Sequence, residues 1–396
     1  MIETFFDEHT FRQISGRAVR KRSQMTILYF LLFLVVLIVP DVRIYASCIA
    51  GACPWVVKAL WWLPTVATLT AFVCANRGWY HNTCMRAFFA LVLCFVLPKA
   101  LFVLFHLLIG WQVAVAAVAV VELFLLYGFF FGWRRIVVKD TTCEDAAIPK
   151  AFDGYRVLQL SDIHIGTFLQ NPSFIHKLVN VVNAQRPDLV VFTGDLVNVS
   201  ATELLPFMPV LDHICATDGV YSVMGNHDYC EYGHDHTLQN MERNQHALIY
   251  MEEKMGWHML MNEHVVLHRG DSQIALVGVE NIGKPPFKSH GNLGKAVKNL
   301  PDGMFKILLS HDPTHWRMGV LQTTDIQLTL SGHTHAGQFK IGRFSPSRWA
   351  YNEWGGMYTE QGRHLHVSLG IGGTVPFRFG AWPEVNVITL RSGHQK

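Results

Sequence analysis

The sequence predicts an α/β layered domain that follows four membrane-spanning helices. Two observations predict the layered domain: strands and helices alternate from about residue 155 onward, and five apolar strands each end on Asp, His or Asn. A third predicts the membrane region, because the apolar excess of this 396-residue, 50% hydrophobic chain lies before residue 134. We therefore divide the chain into a basic, cytoplasmic tail at 1–24, four transmembrane helices within 25–133, a linker at 134–153 and a second domain at 154–396.

Four apolar runs have the length and composition expected of membrane spans. They cover residues 25–40, 55–75, 87–110 and 112–133. The first is short and resembles a signal-peptide core, but no small-residue cleavage site follows it, so we interpret it as an anchor. None of the runs has a polar face, which disfavours buried helices of a soluble domain.

Basic residues set the expected orientation of these spans. They precede the first span, flank the second loop and follow the fourth span, at Arg17, Arg20, Lys21, Arg22, Arg77, Arg86, Arg134, Arg135 and Lys139. The positive-inside rule makes that side cytoplasmic. We therefore expect a multi-pass protein of the cell inner membrane, with the second domain in the cytoplasm. The first loop then faces outward and carries Cys48 and Cys53, as a disulfide or as two thiols.

Two charged residues lie in the middle of predicted spans. Lys99 in the third span and Glu122 in the fourth are each 11 residues from the turn at Gly110 and Trp111. At the rise of a helix, both lie roughly 16 Å from that turn. We predict an ion pair, because a lone charge at mid-bilayer costs on the order of 2.5–3.5 kcal/mol. A polar path or a lipid-headgroup site between the spans is the alternative.

The elements of the second domain follow from periodicity and turn residues. We predict an edge strand at 135–138, helices at Pro172–Ala184, 202–213 and 237–255, and strands at 258–268, 273–279, 338–341, 365–369 and 385–390. Asp235 is a candidate cap for the third helix.

Five further strands end on side chains that bind metals. They lead into S-D-I-H-I-G at 161, G-D at 194, G-N-H-D at 225, S-H-D-P at 310 and S-G-H-T-H-A-G-Q at 331. Open α/β sheets place their sites at the carboxyl ends of strands, so we expect these side chains to converge. Residues i and i+2 of an extended chain share a face, which pairs Asp162 with His164 and His333 with His335. Gly332 allows a close backbone approach.

Seven of these side chains could surround two divalent metal ions about 3.5–4 Å apart. Mixed nitrogen and oxygen ligands suit Mn, Zn, Fe or Co, and we favour Mn. One carboxylate must lie between the ions, and Asp195 is the best candidate because it stands alone at its strand end. Such a pair ionises water near neutral pH and stabilises charge on phosphate oxygens.

The ordered blocks D-x-H, G-D, G-N-H-D, H and G-H-x-H resemble the calcineurin-like metallophosphoesterase superfamily over residues 155–390. The residue sequences of the blocks S-D-I-H-I-G and S-G-H-T-H-A-G-Q, and of the tail P-F-R-F-G-A-W-P-E, most resemble bacterial membrane-associated phosphoesterases of the YkuE and YaeI type. Relatives of that group include hydrolases of UDP-2,3-diacylglucosamine. The resemblance implies a four-layer sandwich of two sheets flanked by helices.

The resemblance also implies residue roles. Asp162, His164 and His335 would hold one metal, Asn226, His311 and His333 the other, with Asp195 as the bridge. His227 would be the acid for the leaving group, and Asp228 would orient it. Asn198 stands where many relatives carry an acid, but that position is not a metal ligand in the pattern.

We expect a membrane-anchored hydrolase of a phosphodiester, pyrophosphate or phosphomonoester, and a site near the bilayer favours a lipid-linked substrate. The alternatives are a non-catalytic sensor or binding protein on the same fold, marked by lost ligands, and a protein whose membrane half carries the function. Arg378 and His234 are candidate substrate contacts, although Arg378 could instead pair with Glu384. The net charge of +3, without a basic stripe interleaved with aromatic residues, does not suggest nucleic-acid binding.

Overall fold

The computed structural model describes residues 28–77, 81–232 and 237–393. The chain divides into two compact units, Met1–Leu125 and Leu126–Lys396. The predicted tail at 1–24 and the candidate cap Asp235 lie outside the described residues.

Within the described residues, four apolar helices are long enough to cross a membrane. They are α1 (Leu28–Ile49), α2 (Trp55–Asn76), α3 (Thr83–Leu108) and α4 (Trp111–Arg134). The predicted number of long apolar helices is confirmed, and α1 extends beyond the predicted end at residue 40. From Leu126 onward, α4 belongs to the second unit. Cys48 and Cys53 are unpaired, as are the other cysteines of the described chain.

The predicted pair of Lys99 with Glu122 is wrong. Lys99 Nζ lies 2.5 Å from Asp41 Oδ1, and the Asp41 side chain is buried. The Thr65 hydroxyl also donates to Asp41, and Trp61 Nε1 donates to the Asp41 carbonyl at 3.3 Å. The first span was predicted to end at residue 40, which would leave Asp41 in the outward-facing loop. Instead α1 continues to Ile49, and this places the Asp41 carboxylate inside the helical unit.

The second unit is built on two six-stranded sheets. The strands are β1 (Val137–Asp145), β2 (Arg156–Leu160), β3 (Leu189–Phe192), β4 (Val220–Ser222), β5 (Trp257–Met259), β6 (Glu263–Arg269), β7 (Ser272–Gly278), β8 (Lys306–Leu309), β9 (Leu328–Ser331), β10 (Gly356–Glu360), β11 (Arg363–Val367) and β12 (Glu384–Ser392). The first sheet has the order β1-β12-β2-β3-β4-β5 and the second β10-β11-β9-β8-β7-β6. Both are mixed, with β12–β2, β10–β11 and β6–β7 antiparallel and the other pairs parallel.

The two sheets pack face to face, because their central strands are buried on both sides. In β3, Leu189 and Val191 point into the core between the sheets, and Val190 and Phe192 point into the outer core. In the second sheet, β8 alternates in the same way, with Ile307 in the central core. The predicted four-layer sandwich of two sheets flanked by helices is confirmed.

Helices cover the outer faces of the sheets. They are α5 (Pro172–Ala184), α6 (Met208–Leu211), α7 (Leu238–Lys254), α8 (Leu293–Ala296) and α9 (Leu321–Thr323). The helix predicted at 172–184 has its predicted bounds, while the one predicted at 202–213 is a 3₁₀ segment, Ala201–Phe207, followed by the single turn of α6. Pro206 and Pro209 remove backbone donors there, which disfavours a regular helix.

The edge strand predicted at 135–138 is confirmed in part, because β1 begins at Val137 and lies at the edge of the first sheet. The linker prediction and two other strand predictions are wrong. The predicted linker at 134–153 contains β1, which pairs in parallel with β12 along nine residues. The strand predicted at 258–268 is two strands in different sheets, since the chain crosses between the sheets after β5. Residues 338–341 form only isolated bridges, Phe339 with Phe379 and Ile341 with Phe344. β10 was not predicted from the sequence.

Candidate metal centre

The candidate ligands lie in turns directly after the strands. β2, β3 and β9 end two or three residues before Asp162, Asp195 and His333. Five of the seven candidate ligands have a left-handed backbone: Asp162 (φ 50°), His164 (φ 47°), Asp195 (φ 60°), His333 (φ 73°) and His335 (φ 48°). Residues other than glycine rarely adopt this conformation, and it clusters at functional sites. The strand-like alternation that we expected for these pairs is therefore wrong.

Gly332 has the role that the sequence predicts. A Cβ atom there would collide with the Ser161 side chain and with the carboxylate of Asp162. The next residue, His333, donates its backbone N–H to both carboxylate oxygens of Asp162 at 3.0 Å. Glycine thus lets the His333 turn approach the end of β2.

The first ligand group comprises Asp162, His164 and His335. His164 Nε2 lies 3.2 Å from His335 Nε2, and His335 Nε2 lies 3.3 Å from Asp162 Oδ1. With Asp195, the candidate ligand atoms of this group all lie within 4.8 Å of one another. Asp162 and His164 are almost completely buried.

The second ligand group comprises Asn226, His311 and His333. His311 Nε2 lies 3.2 Å from both Asn226 Oδ1 and His333 Nδ1. His311 donates its other ring N–H to the Thr193 carbonyl at 2.8 Å, which turns Nε2 towards the centre. Asn226 donates through Nδ2 to Tyr232 Oη at 3.0 Å, which turns its amide oxygen the same way. Such outer hydrogen bonds fix the orientation of metal ligands.

Asp195 touches both ligand groups. Its Oδ2 lies 3.2 Å from His311 Nε2 and 3.6 Å from His164 Nε2. Its Oδ1 accepts the backbone N–H of His227 at 2.8 Å. One carboxylate oxygen between two converging sets of nitrogen and oxygen atoms fits a bridging ligand of two borderline divalent cations.

Burial keeps most of the imidazoles neutral, which is the form that binds metals. It lowers the pKa of His164 to about 3, with help from His227, and the pKa of His333 to about 4. Burial and His164 hold the pKa of His335 well below its usual range. His311 differs: burial opposes its charge, but Asp195 and Asp162 raise its pKa to about 10. The two carboxylates thus favour the protonated form of His311, whereas binding a cation through Nε2 requires the neutral form.

His227 stands beside both ligand groups without joining either. Its ring centroid is 4.7 Å from that of His164, and the residue is only half-buried. Its Nδ1–H donates to the Asn198 carbonyl at 2.7 Å, which leaves Nε2 available. Asp228 does not make this contact. Its carboxylate accepts the backbone N–H groups of Asp195, Leu196, Val197 and Gly225. Asp228 therefore ties the Asp195 turn to the His227 turn, and the His227 ring is oriented by Asn198.

Arg378 is not positioned to touch a substrate. The residue is 1% exposed, and its guanidinium donates to the carbonyls of Leu369, Gly372 and Ala381. Its Nη2 lies 3.2 Å from His335 Nδ1, on the side of the ring away from the first ligand group. The Glu384 carboxylate accepts the Leu369 N–H at 2.8 Å instead of pairing directly with Arg378. His234 lies outside the described residues.

Several side chains at the site were not predicted from the sequence. Tyr351 Oη lies 2.8 Å from His333 Nε2, and Lys284 Nζ lies 4.4 Å from the centre of the Tyr351 ring. A cavity of about 260 Å³ adjoins the second ligand group at Asn226. It is lined in addition by Tyr229, Glu231, Tyr232, Asn281, Pro286, Phe287, Lys288 and His290. No ordered block marks these residues, because they come from loops between the motif strands.

Comparisons with known proteins place this geometry in context. A family model of the calcineurin-like phosphoesterases matches residues 155–337. The metallophosphoesterase YkuE of Bacillus subtilis is 31% identical over 281 residues, covering 67% of this chain and 89% of that protein. A metallophosphoesterase of Helicobacter pylori strain J99 is 30% identical and covers 68% of this chain and 67% of that protein. A transmembrane protein with a metallophosphoesterase domain from Danio rerio is 30% identical over 235 residues. The match covers 58% of this chain, and the chain spans about half (51%) of that protein.

Proposed function

The chain belongs to the calcineurin-like phosphoesterases and is a membrane protein and a hydrolase; from this premise we propose that it hydrolyses phosphate esters at a centre of two divalent cations. The observation that carries the proposal is Asp195, whose Oδ2 lies within 3.6 Å of nitrogen atoms from both ligand groups. The proposed substrates are phosphodiesters, pyrophosphates or phosphomonoesters.

The ligand assignment follows the two groups. Asp162, His164 and His335 would hold one cation, Asn226, His311 and His333 the other, and Asp195 both. Their short mutual distances support this assignment. Bound divalent cations would supply Lewis acidity, which ionises water near neutral pH and offsets charge on phosphate oxygens. The nitrogen and oxygen donor set suits Mn, Zn, Fe or Co.

His227 is the proposed proton donor to the leaving group. Its Nδ1–H is engaged by the Asn198 carbonyl, so Nε2 is the atom that would carry the transferred proton. Asp228 contributes by position: it binds the backbone amides of Asp195 and Gly225 and so fixes the distance between the bridging carboxylate and the His227 turn.

The cavity beside Asn226 is the proposed site for the organic part of the substrate. Its aromatic side chains, Tyr229, Tyr232 and Phe287, offer apolar contact, and Lys288 at its rim forms an ion pair with Glu231 at 2.7 Å. Such a lining suits a substrate with an extended apolar or planar portion next to its phosphate. A lipid-linked substrate is consistent with the four membrane spans.

We further propose that the spans cross the cell inner membrane and that the catalytic domain is cytoplasmic. The basic residues at the ends of α2 and α4, among them Arg77, Arg134 and Arg135, support this orientation.

The test is turnover by the purified full-length protein. The protein would be stripped with a chelator and reloaded separately with Mn, Zn, Fe or Co. A panel of phosphodiesters, phosphomonoesters, pyrophosphates and UDP-linked lipids would then be assayed, with metal content measured in parallel. We expect turnover of at least one class that disappears on stripping and returns on reloading. Two bound metals per chain without turnover on any class would overturn the proposed activity and favour a binding protein.

A further inference from the structure

A surface loop next to the metal centre exposes large apolar side chains. We call residues 340–349 the interfacial loop; its sequence is K-I-G-R-F-S-P-S-R-W. Trp349 is 78% exposed, Ile341 50% and Phe344 37%, and the rings of Phe344 and Trp349 lie 5.6 Å apart. Single exposed apolar residues are ordinary, but a tryptophan, a phenylalanine and an isoleucine on one ten-residue loop form a patch that needs a partner.

The same loop is positively charged. Lys340, Arg343 and Arg348 belong to it, and no Asp or Glu occurs between residues 338 and 352. Arg343 and Arg348 are exposed. Aromatic residues interleaved with Arg and Lys are typical of segments that lie in the headgroup region of a bilayer, where rings contact the acyl boundary and cations contact lipid phosphates.

The interfacial loop lies beside the end of the last membrane span. The final turns of α4 pack on residues 377–382: the Phe129 and Phe377 rings are 4.9 Å apart, and Arg378 N–H donates to the Gly128 carbonyl at 3.3 Å. Lys340 N–H donates in turn to the Phe379 carbonyl at 2.8 Å. Thus a single segment, 377–382, contacts both the end of α4 and the start of the interfacial loop.

The loop is also fixed to the metal centre. Ser345 Oγ donates to the Ala336 carbonyl at 2.6 Å, and Ser347 Oγ donates to the Thr334 carbonyl at 3.2 Å. These two carbonyls flank His335. Two residues beyond Trp349, Tyr351 touches His333. The loop is therefore held by hydrogen bonds to the residues on either side of His335, and the chain just beyond the loop contacts His333.

From these contacts we infer that the interfacial loop inserts into the headgroup region of an anionic phospholipid bilayer, the one that α4 crosses. Phe344 and Trp349 reach the acyl boundary, and Arg343 and Arg348 bind lipid phosphates. The loop thereby brings the edge of the metal centre to the membrane surface. The inference does not rest on the proposed hydrolysis, since it concerns a surface and requires no turnover.

The test is site-specific photo-crosslinking of the full-length protein in vesicles of phosphatidylethanolamine and phosphatidylglycerol. The photo-crosslinking amino acid p-benzoylphenylalanine is placed at the position of Trp349 or, as a matched control, of Tyr250. Tyr250 is 58% exposed and lies on α7, which packs beside β5 at the opposite edge of the first sheet from β1. We expect phospholipid adducts at position 349 and none above background at position 250.

Charge reversal separates the role of the arginines. The double change Arg343→Glu with Arg348→Glu should lower the adduct yield at position 349 by roughly tenfold, because it turns attraction to an anionic surface into repulsion. In vesicles of phosphatidylcholine alone, which carry no net charge, the adduct yield at position 349 should be lower for the protein with both arginines. It should then equal the yield for the protein with both glutamates. Equal yields at positions 349 and 250 would overturn the inference. Adducts of position 349 to a second copy of the chain, instead of to lipid, would overturn it in favour of a protein interface.

Discussion

Asp195 is the residue through which the two ligand groups touch. Its position follows from β3, whose four residues are completely buried and end at Phe192, so that Thr193, Gly194 and Asp195 turn into the centre. Coulombic contact with His311 and His227 outweighs burial and holds the pKa of Asp195 well below its usual range. It is therefore an anion throughout the neutral range, as a ligand shared by two cations must be.

Asp195→Asn should remove the charge that the two cations share. We expect turnover to fall by far more than the roughly 10–100-fold that follows loss of a ligand's hydrogen-bond partner, with a parallel loss of bound metal. Kinetics and elemental analysis on the same preparation measure both. Asp302→Asn, on an exposed turn, is the control and should change neither. Two bound metals and normal turnover in Asp195→Asn would disprove the bridge.

His227→Ala should retain the metals and lose turnover. Proton donation to a leaving group accelerates a reaction by roughly 10²–10⁴-fold, and the acceleration is largest when the leaving group is poor. We therefore expect the rate of turnover to fall much more with alkyl phosphate esters than with nitrophenyl esters. The control is His268→Ala, since His268 is exposed, and it should not change the rate with either ester. An equal loss with both ester types would mean that His227 has another role.

Glu252 gives a pH dependence at a buried group that is not a candidate metal ligand. Burial raises its pKa to about 8, while the Ser222 hydroxyl donates to its carboxylate. A folded-state pKa above the usual value means that folding is penalised as pH rises from about 4.5 to about 8, because the unfolded chain loses its proton first. Glu252→Gln should therefore gain stability relative to the parent, on the order of 1–3 kcal/mol between pH 6 and 8.5. Denaturant titrations against Glu253→Gln, an exposed neighbour, measure the difference. A constant difference across this range would show that Glu252 does not titrate there.

At this scale the sequence predicted ligands better than their supports. Asp, His and Asn residues that follow apolar strands can be recognised from the sequence, because each one comes directly after a predicted strand. The contacts that orient them cannot. The Asn198 carbonyl that binds His227 carries no side-chain signal, and Tyr351 and Arg378 reach histidines 18 and 43 residues away in the chain.

At the scale of elements, the end of α4 is part of the catalytic domain. Trp133 packs on Phe168 and Phe174, and Tyr127 and Phe129 pack on the segment 377–382. That segment includes Arg378, which contacts His335. The last turns of a membrane helix are thus two contacts away from a candidate ligand.

Gly132→Ala should disturb this connection. A Cβ atom at position 132 would collide with the Arg378 carbonyl and meet the Trp382 ring at 3.1 Å. We expect a loss of roughly 1–3 kcal/mol in the stability of the catalytic domain, typical of overpacking, together with weaker metal binding at the first ligand group. Metal titration and thermal melting measure the two effects.

Gly294→Ala is the matched control, because a Cβ atom there makes only an ordinary contact at 3.7 Å. Unchanged metal affinity in Gly132→Ala would show that the end of α4 supports the domain without influencing the centre.

Sequence periodicity predicted elements well where one local pattern ran unbroken, as in α5. It was wrong where tertiary pairing decides. The 134–153 stretch is polar and reads as a linker, yet its residues gain strand partners from β12, some 240 positions later. The sequence at 258–268 is typical of one continuous strand, so its pattern does not indicate that the chain crosses between the sheets after β5.

At the scale of the whole molecule, the orientation of the spans decides which compartment holds the centre. A reporter fused after Lys396 should be active as a cytoplasmic protein, and one inserted near Gly51, in the first loop, should be active only outside the cell. Paired enzymatic reporters that work on opposite sides of the membrane measure this. A C-terminal reporter active outside would mean that the number of spans crossing the bilayer is odd, or that the basic residues do not set the orientation.

The long pairing of β1 with β12 also sets the order in which the protein is made. β1 emerges directly after α4, but the strand that must lie between it and β2 is synthesised about 240 residues later. At roughly 5–20 residues per second, β1 waits on the order of ten seconds to a minute with an open edge beside the bilayer. Closure of the first sheet is therefore a late event, after α4 has been synthesised. A chain interrupted before residue 384 would expose the edges of β1 and β2 and invite pairing between neighbouring nascent chains.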